Sequence, residues 1–233
     1  MSLPPTTEPV VGVDGCRGGW VTVVATADGG LRAEHVDDLA PLVARVRNGE
    51  VAAMAVDMPI GLLADRPRPA DREARALLGA RRSSVFPAPV RAVLGAADYD
   101  EACSRSRAAC GKAVSKQTFN LLGAIAHLDD LLVPADGERI VEAHPELAFA
   151  RLDEGRPAPP KRTGEGRNHR LGLLTTALGP PLAELVATAA VPTEDLLDAA
   201  ALVVTARHVV AGTAHRLGGG ELDETGKPVQ VVY

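Results

Sequence analysis

Apolar and polar residues alternate along this chain in two periods, and the switch between them outlines the fold. Val10 to Val13 is apolar and β-branched, broken only by Gly12, and ends at Asp14, so it predicts a buried strand. Gly15 to Gly19 reads as a turn, Trp20 to Ala25 as a second strand, Asp28-Gly29-Gly30 as a hairpin turn and Leu31 to Val36 as a third strand. From Asp38 to Arg47 the period lengthens, with Leu39, Leu42, Val43 and Val46 on one helical face. Val51 to Val56 is a continuous apolar run, as expected of a central strand covered on both faces, and it ends at Asp57.

Helical patterns follow near Asp71 to Leu78, Tyr99 to Ala109 and Ser115 to Leu132. The stretch Arg81 to Pro89 is expected to be irregular, because of its prolines. Arg139 to Ala143 predicts a short strand, Glu146 to Leu152 the start of a helix, and a Pro- and Arg-rich loop leads to helical stretches reaching Thr188. Thr193 is read as the cap of a long apolar helix to about Ala211, and Gln230 to Tyr233 as a last edge strand. Three hairpin-linked strands, then helix, strand, helix, strand, helix, is the order of an α/β ribonuclease-H-like domain. The expectation is one domain over residues 1–233, a mixed five-stranded sheet flanked by helices, with mostly helical insertions at about 59–114 and 145–190.

Composition changes this picture little: 46% hydrophobic and 24% charged residues are an ordinary globular balance. Three cysteines without paired spacing argue against a disulfide framework, and Cys103 and Cys110 read as small packed side chains. The amino terminus lacks a basic region and an apolar run, and no stretch approaches the ~20 apolar residues of a membrane span, so a cytoplasmic protein with no membrane partner is expected. Charge bears more directly on function. A net charge of −5 and only 3% aromatic residues count against a general duplex binder and against a stacking platform for single strands.

The candidate chemistry is acidic. Asp14 and Asp57 close apolar strands, where open α/β sheets place their ligands, and a charge at such a position needs a partner or a cation. Either alone could be an ordinary turn aspartate. In the last helix Glu194 and Asp195 suit the dipole of the first turn, but Asp198 lies a turn further in among apolar residues, on the same face as Asp195. Val141-Glu142-Ala143-His144-Pro145-Glu146 adds Glu142 on a strand, His144 as a proton shuttle or cap, and Glu146 at a helix start. The catalytic set is thus Asp14, Asp57, Glu142 and Asp198. With Asp195 these would hold Mg²⁺ or Mn²⁺, hard cations that prefer oxygen ligands. Such ions activate water in phosphodiester hydrolysis.

The insertions are locally basic. Seven arginines lie between Arg66 and Arg91 against Asp71 and Glu73, and residues 151–170 add Arg151, Arg156, Lys161, Arg162, Arg167 and Arg170. A basic rim around an acidic site suits a phosphate-bearing substrate, nucleic acid or nucleotide, with Arg17, Arg82, Gln117, Asn120, His144 and Arg170 as its contacts. Solvated loop charge explains many of these residues equally well. Gly111-Lys112 is not a phosphate loop, because Ser106 stands where the upstream glycine belongs and Ala113 replaces the hydroxyl residue. Cys16 has no base beside it and reads as a packed thiol.

Several stretches together carry a family resemblance. They are Gly12 to Trp20, Val56-Asp57-Met58-Pro59-Ile60-Gly61-Leu62, Ser83 to Arg91, Lys116-Gln117 with Asn120, Glu142 to Glu146, and Asp198-Ala199-Ala200. In order, they resemble a prokaryotic family of unknown function described as predicted nucleases with a ribonuclease H fold. The resemblance implies that fold and a metal-dependent nuclease role. The Asp195/Asp198 pair before an alanine-rich run is similar to the final helix of Holliday-junction resolvases. Two other functions fit the same pattern. One is a non-catalytic binder of a small anionic ligand or nucleotide. The other is an ATP-dependent phosphotransferase, although such kinases use two domains of this type.

Overall fold

A computed structural model describes residues 6–156 and 158–233, and its chain falls into two compact units. The first comprises residues up to Asp57, Glu138–His215 and Val232–Tyr233; the second comprises Met58–Gly137 and Arg216–Val231. The expected 59–114 insertion therefore lies in the second unit, which also takes in residues to Gly137 and a C-terminal excursion, whereas 145–190 lies in the first.

The first unit holds a five-stranded sheet in the ribonuclease-H-like arrangement. Its strands are β1 (Val10–Cys16), β2 (Gly19–Ala25), β3 (Leu31–Val36), β4 (Ala53–Val56) and β5 (Ile140–Glu142), in the spatial order β3-β2-β1-β4-β5. The β1-β2 and β2-β3 pairs are antiparallel, while β1-β4 and β4-β5 are parallel, so the sheet is mixed as expected. Strand β1 runs two residues beyond Asp14: Asp14 pairs with Val21 and the hairpin closes at Cys16 and Gly19. Asp14 thus sits inside a paired strand and not at its exit, which fixes the direction of its side chain.

The helices of this unit are α1 (Ala40–Arg47), α5 (Pro145–Leu152), α6 (Gly164–Leu178), α7 (Pro181–Thr188) and α8 (Thr193–Val210). One face of the sheet, carrying Val10, Val21, Val23, Ala53, Ala55, Val141 and Ala143, packs on Leu196, Leu197, Ala199, Ala200, Ala201 and Val203 of α8. This contact is unusually close because of Gly12: a Cβ there would stand 2.0 Å from the Ala199 carbonyl oxygen and 2.6 Å from the Val203 nitrogen. A backbone-to-backbone approach of this kind needs a residue without a side chain. Thr193 is not the cap of α8: Pro192 holds that position, its carbonyl accepting from Leu196 N at 2.9 Å, and Thr193 is the first helical residue. A proline at the cap offers no side-chain acceptor, so the first-turn amides are left without the cap expected from Thr193.

The second unit is mainly helical, with α2 (Pro69–Leu78), α3 (Tyr99–Cys110) and α4 (Lys116–Leu131). The first residues of the Arg81–Pro89 stretch, expected to be irregular, belong to a 3-10 helix (Gly79–Ser84), since the prolines begin only at Pro87 and i→i+3 bonding tolerates the arginine- and serine-rich run. Inside this unit Arg91 pairs with Asp129 and Asp223. Lys227 Nζ donates to the Asp129 carboxylate at 2.9 Å, and the Leu62 amide donates to Asp223 Oδ2 at 3.0 Å. This buried ionic network joins residues more than a hundred positions apart and leaves no periodic trace in the sequence. The last edge strand shrinks to β7 (Val231–Val232), which pairs with β6 (Arg216–Leu217), and Val232 also bridges in parallel to Ala143. No helix among the described residues is long and apolar enough to cross a membrane.

Candidate carboxylate site

The alternation of β1 and β4 decides which side chains meet. Val10 and Ala53 face α8, as does Ala55, which pairs with Gly12, so Asp14 and Asp57 project on that same face two residues further along each strand direction. The Asp57 amide donates to the Val13 carbonyl at 2.9 Å, which extends the parallel ladder and aligns the two aspartates at one edge. Because Gly12 admits α8 to contact, Asp198, one residue before Ala199, comes down on the same edge with Asp195 a turn earlier. Asp14 and Asp198 are 7% and 5% exposed, and Asp57 and Asp195 are partly buried.

Electrostatics confirms that these carboxylates share one space. Burial, then the charges of Asp57, Asp198 and Asp195, push the Asp14 carboxyl up to about 9. Burial also raises Asp57, with Asp198 adding to the rise, against the opposing pull of His144, Lys161 and a hydrogen bond with the Asp14 carboxyl. Burial raises Asp198 and Asp195 as well; the charge of Asp198 adds to the rise at Asp195, and the charge of Glu146 adds to the rise at Asp198 against the pull of Lys161. A hydrogen bond between two carboxyl groups requires a proton on one of them, and Asp14 is the one held protonated at neutral pH. The nearby Cys16 thiol is pushed up by burial, Asp195 and Asp14, so it is a thiol and not a nucleophilic thiolate.

One cation enters the cluster. Lys161 Nζ lies 2.7 Å from Asp198 Oδ2, and the charges of Asp198, Asp14 and Asp57 outweigh burial and raise its pKa. Sequence reasoning counted Lys161 among the rim charges and did not place it in the site; its isolation as the one lysine in an arginine-rich loop was the available signal.

The remaining expected residues fall elsewhere. Glu142 pairs with Val56 on β5, and because Val141 and Ala143 face α8, alternation turns Glu142 to the opposite face of the sheet. It is buried there and does not join Asp14, Asp57 and Asp198. Glu146 is held by Arg170, whose Nη2 donates to Glu146 Oε1 at 2.7 Å while Nη1 donates to the Pro159 carbonyl at 2.8 Å. At 1% exposure Arg170 is a buried tie and not a substrate contact; two carbonyls, a carboxylate and the Phe149 ring hold the guanidinium, while its buried Nε is left without a hydrogen-bond partner. His144 caps α5, its Nδ1 accepting from the Glu146 amide at 3.1 Å, and its ring stands close enough to stabilise charge on Asp57. Arg17 is exposed in the β1-β2 turn. Arg82, Gln117 and Asn120 are exposed on the second unit, Arg82 in the 3-10 helix and the other two on α4.

Oxygen donors alone, crowded and short of positive charge, are the chemistry Mg²⁺ or Mn²⁺ takes. Asp14, Asp57 and Asp198, with Asp195 at the rim, are the residues that would hold such an ion. Among the described residues no three His, Cys, Asp or Glu side chains already stand at metal-binding geometry. The donor set fits the ion in its chemistry, and its side chains would have to move to close around it.

Fold and site together define an α/β protein with the ribonuclease-H-like arrangement and a carboxylate cluster where β1, β4 and α8 meet. The chain belongs to a family described as "Protein of unknown function (DUF429)", whose model matches residues 12–222. No curated protein and no solved structure matches the chain.

Proposed function

We propose that the protein is a divalent-cation-dependent phosphodiester hydrolase, a nuclease in the wider sense, acting at the Asp14/Asp57/Asp198 edge. The observation that carries this reading is the shortage of positive charge. Four carboxylates are gathered at one sheet edge, Lys161 is the cation in direct contact with them among the described residues, and every one of the four is harder to ionise than a free aspartate. Proteins seldom keep buried acidic groups in this state unless a cation completes them.

A divalent cation bound there would polarise a phosphate oxygen and supply a metal-activated water. The chain's own residues would do the rest. Asp14 and Asp57 would lose their shared proton and hold the cation, and Asp198 would fix its third side. The imidazole of His144, which accepts from the Glu146 amide at Nδ1 and acts electrostatically on Asp57, would serve as a proton carrier. Arg162 and Arg167, both exposed, follow Lys161 in this basic stretch of the chain, and Arg167 lines the same small cleft as Lys161 and Asp198. A phosphate-bearing substrate would be drawn by that basic loop. The overall charge of −5 favours a short or mononucleotide-sized substrate over extended duplex.

The test is Mn²⁺ titration calorimetry on the wild type and on Asp57→Asn, followed by hydrolysis of bis-(p-nitrophenyl) phosphate. Binding that disappears in the variant, with Mn²⁺-dependent turnover in the wild type, is the expected result. No binding to either protein would leave the cluster as part of a metal-free anion-binding site, the reading that the Lys161-Asp198 ion pair would then favour.

A further inference from the structure

Lys161 combines a fixed backbone with a half-exposed side chain. Pro159 and Pro160 precede it. The Pro159 carbonyl accepts from the buried Arg170, and the Pro160 carbonyl accepts from Thr163 N at 3.0 Å and from Thr163 Oγ1 at 2.8 Å. Thr163 Oγ1 in turn caps α6 by accepting from Gly166 N at 3.0 Å. Gly166 itself leaves no slack: a Cβ there would stand 2.1 Å from the Pro160 oxygen. The loop is thus riveted to the start of α6 at the two residues before Lys161. The lysine side chain remains 42% exposed along its length while its ammonium rests on Asp198. The cleft around that contact, lined by Lys161, Arg167, Arg170, Glu194, Leu197 and Asp198, has a volume of about 10 Å³. That is room for about one water and for no substrate. The lysine side chain fills the Asp198 side of the site.

We propose that Lys161 is a displaceable counter-ion: it occupies Asp198 while the site is free of metal, and a divalent cation releases its ammonium to the substrate phosphate. The proposal rests on the hydrolase reading above and adds regulation to the same site. A compact ammonium on a four-carbon stem suits the role. It can leave one carboxylate and reach a phosphate several ångströms away without moving the anchored backbone. Arg170, with its planar fork committed to Glu146 and to Pro159, could not do this, which explains why a buried arginine on α6 anchors the loop and a lysine stands in the loop itself. A static structural ion pair would hold Asp198 and the loop together whether or not metal is present. A counter-ion must let go when metal arrives.

The chain has only four lysines, which makes the test direct. Lys112 and Lys116 are exposed and Lys227 is buried, so they serve as internal references for acetylation by acetic anhydride read by mass spectrometry. Acetylation of Lys161 should be slow in EDTA and rise several-fold at saturating Mn²⁺, with Lys112 unchanged. Calorimetry should show Mn²⁺ binding about tenfold or more tighter in Lys161→Met than in the wild type, and close to wild type in Lys161→Arg. If the wild type binds Mn²⁺ while Lys161 acetylation stays constant, the counter-ion proposal is overturned and the hydrolase reading stands. If wild type, Lys161→Met and Lys161→Arg all fail to bind Mn²⁺, the hydrolase reading falls and takes this proposal with it. Binding seen only in Lys161→Met would also overturn the proposal, because the wild-type ammonium would then hold Asp198 against the metal instead of yielding to it.

Discussion

Asp14→Asn should make the metal-free protein more stable, although it removes a residue from the centre of the site. In the folded chain the Asp14 carboxyl titrates at about 9, against 3.8 for an unperturbed aspartate. The folded state therefore binds a proton that the unfolded state has released between these values, and stability must fall as pH rises through that window. At pH 7 the offset is about three pH units, and at about 1.4 kcal/mol per unit it sets a ceiling near 4 kcal/mol. Relaxation and sharing of the proton with Asp57 reduce this, and about 1–3 kcal/mol is the expected gain. Asparagine has the shape of aspartate and can donate to Asp57 as the protonated acid does, so no cavity or orphaned acceptor is created. For a chain of this size the gain corresponds to a rise in melting temperature of roughly 3–10 °C. Thermal denaturation in EDTA at pH 7 and pH 8.5 would show it: the variant should exceed the wild type at both, by more at the higher pH. Equal or lower stability of Asp14→Asn at both would refute the claim that this carboxylate is buried at a cost. With Mn²⁺ added the order should reverse, because only the wild type can be stabilised by binding.

Three further outcomes follow from the same geometry. Gly12→Ala should cost about 3 kcal/mol in chemical denaturation, since α8 must move outward by more than an ångström to clear the Ala199 carbonyl, and it should weaken Mn²⁺ binding by displacing Asp198. Glu142→Gln should bind Mn²⁺ as tightly as the wild type, because its side chain lies on the other face of the sheet; a loss comparable to that of Asp57→Asn in calorimetry would put Glu142 back in the site. Arg170→Met should destabilise the protein by about 3–5 kcal/mol by stranding the buried Glu146, and Glu146→Gln in the same chain should recover much of it, both read by urea denaturation.

The primary sequence by itself determined the elements and their order. Strand and helix periods are local, and the apolar runs at 10–13, 20–25 and 51–56 and the long apolar stretch after Thr193 fix the strands, the final helix and the mixed sheet with little dependence on context. It also marked Asp14, Asp57 and Asp198, because a carboxylate beside or inside an apolar run is anomalous whatever surrounds it. Tertiary structure decided which of the acidic residues meet. Glu142 has the same sequence credentials as Asp57, yet a one-residue difference in phase along a pleated strand sends it to the opposite face. Lys161 and Arg170 look alike as loop cations, but one reaches Asp198 and the other is sealed against Glu146, a distinction made by the packing of α5, α6 and α8. Gly12 gives no sign of its role until α8 is laid across it. Side-chain alternation and helix period are properties of neighbouring residues and can be read along the chain, whereas the convergence of β1, β4 and α8 on one point is set by contacts between segments more than forty residues apart, which no local pattern encodes.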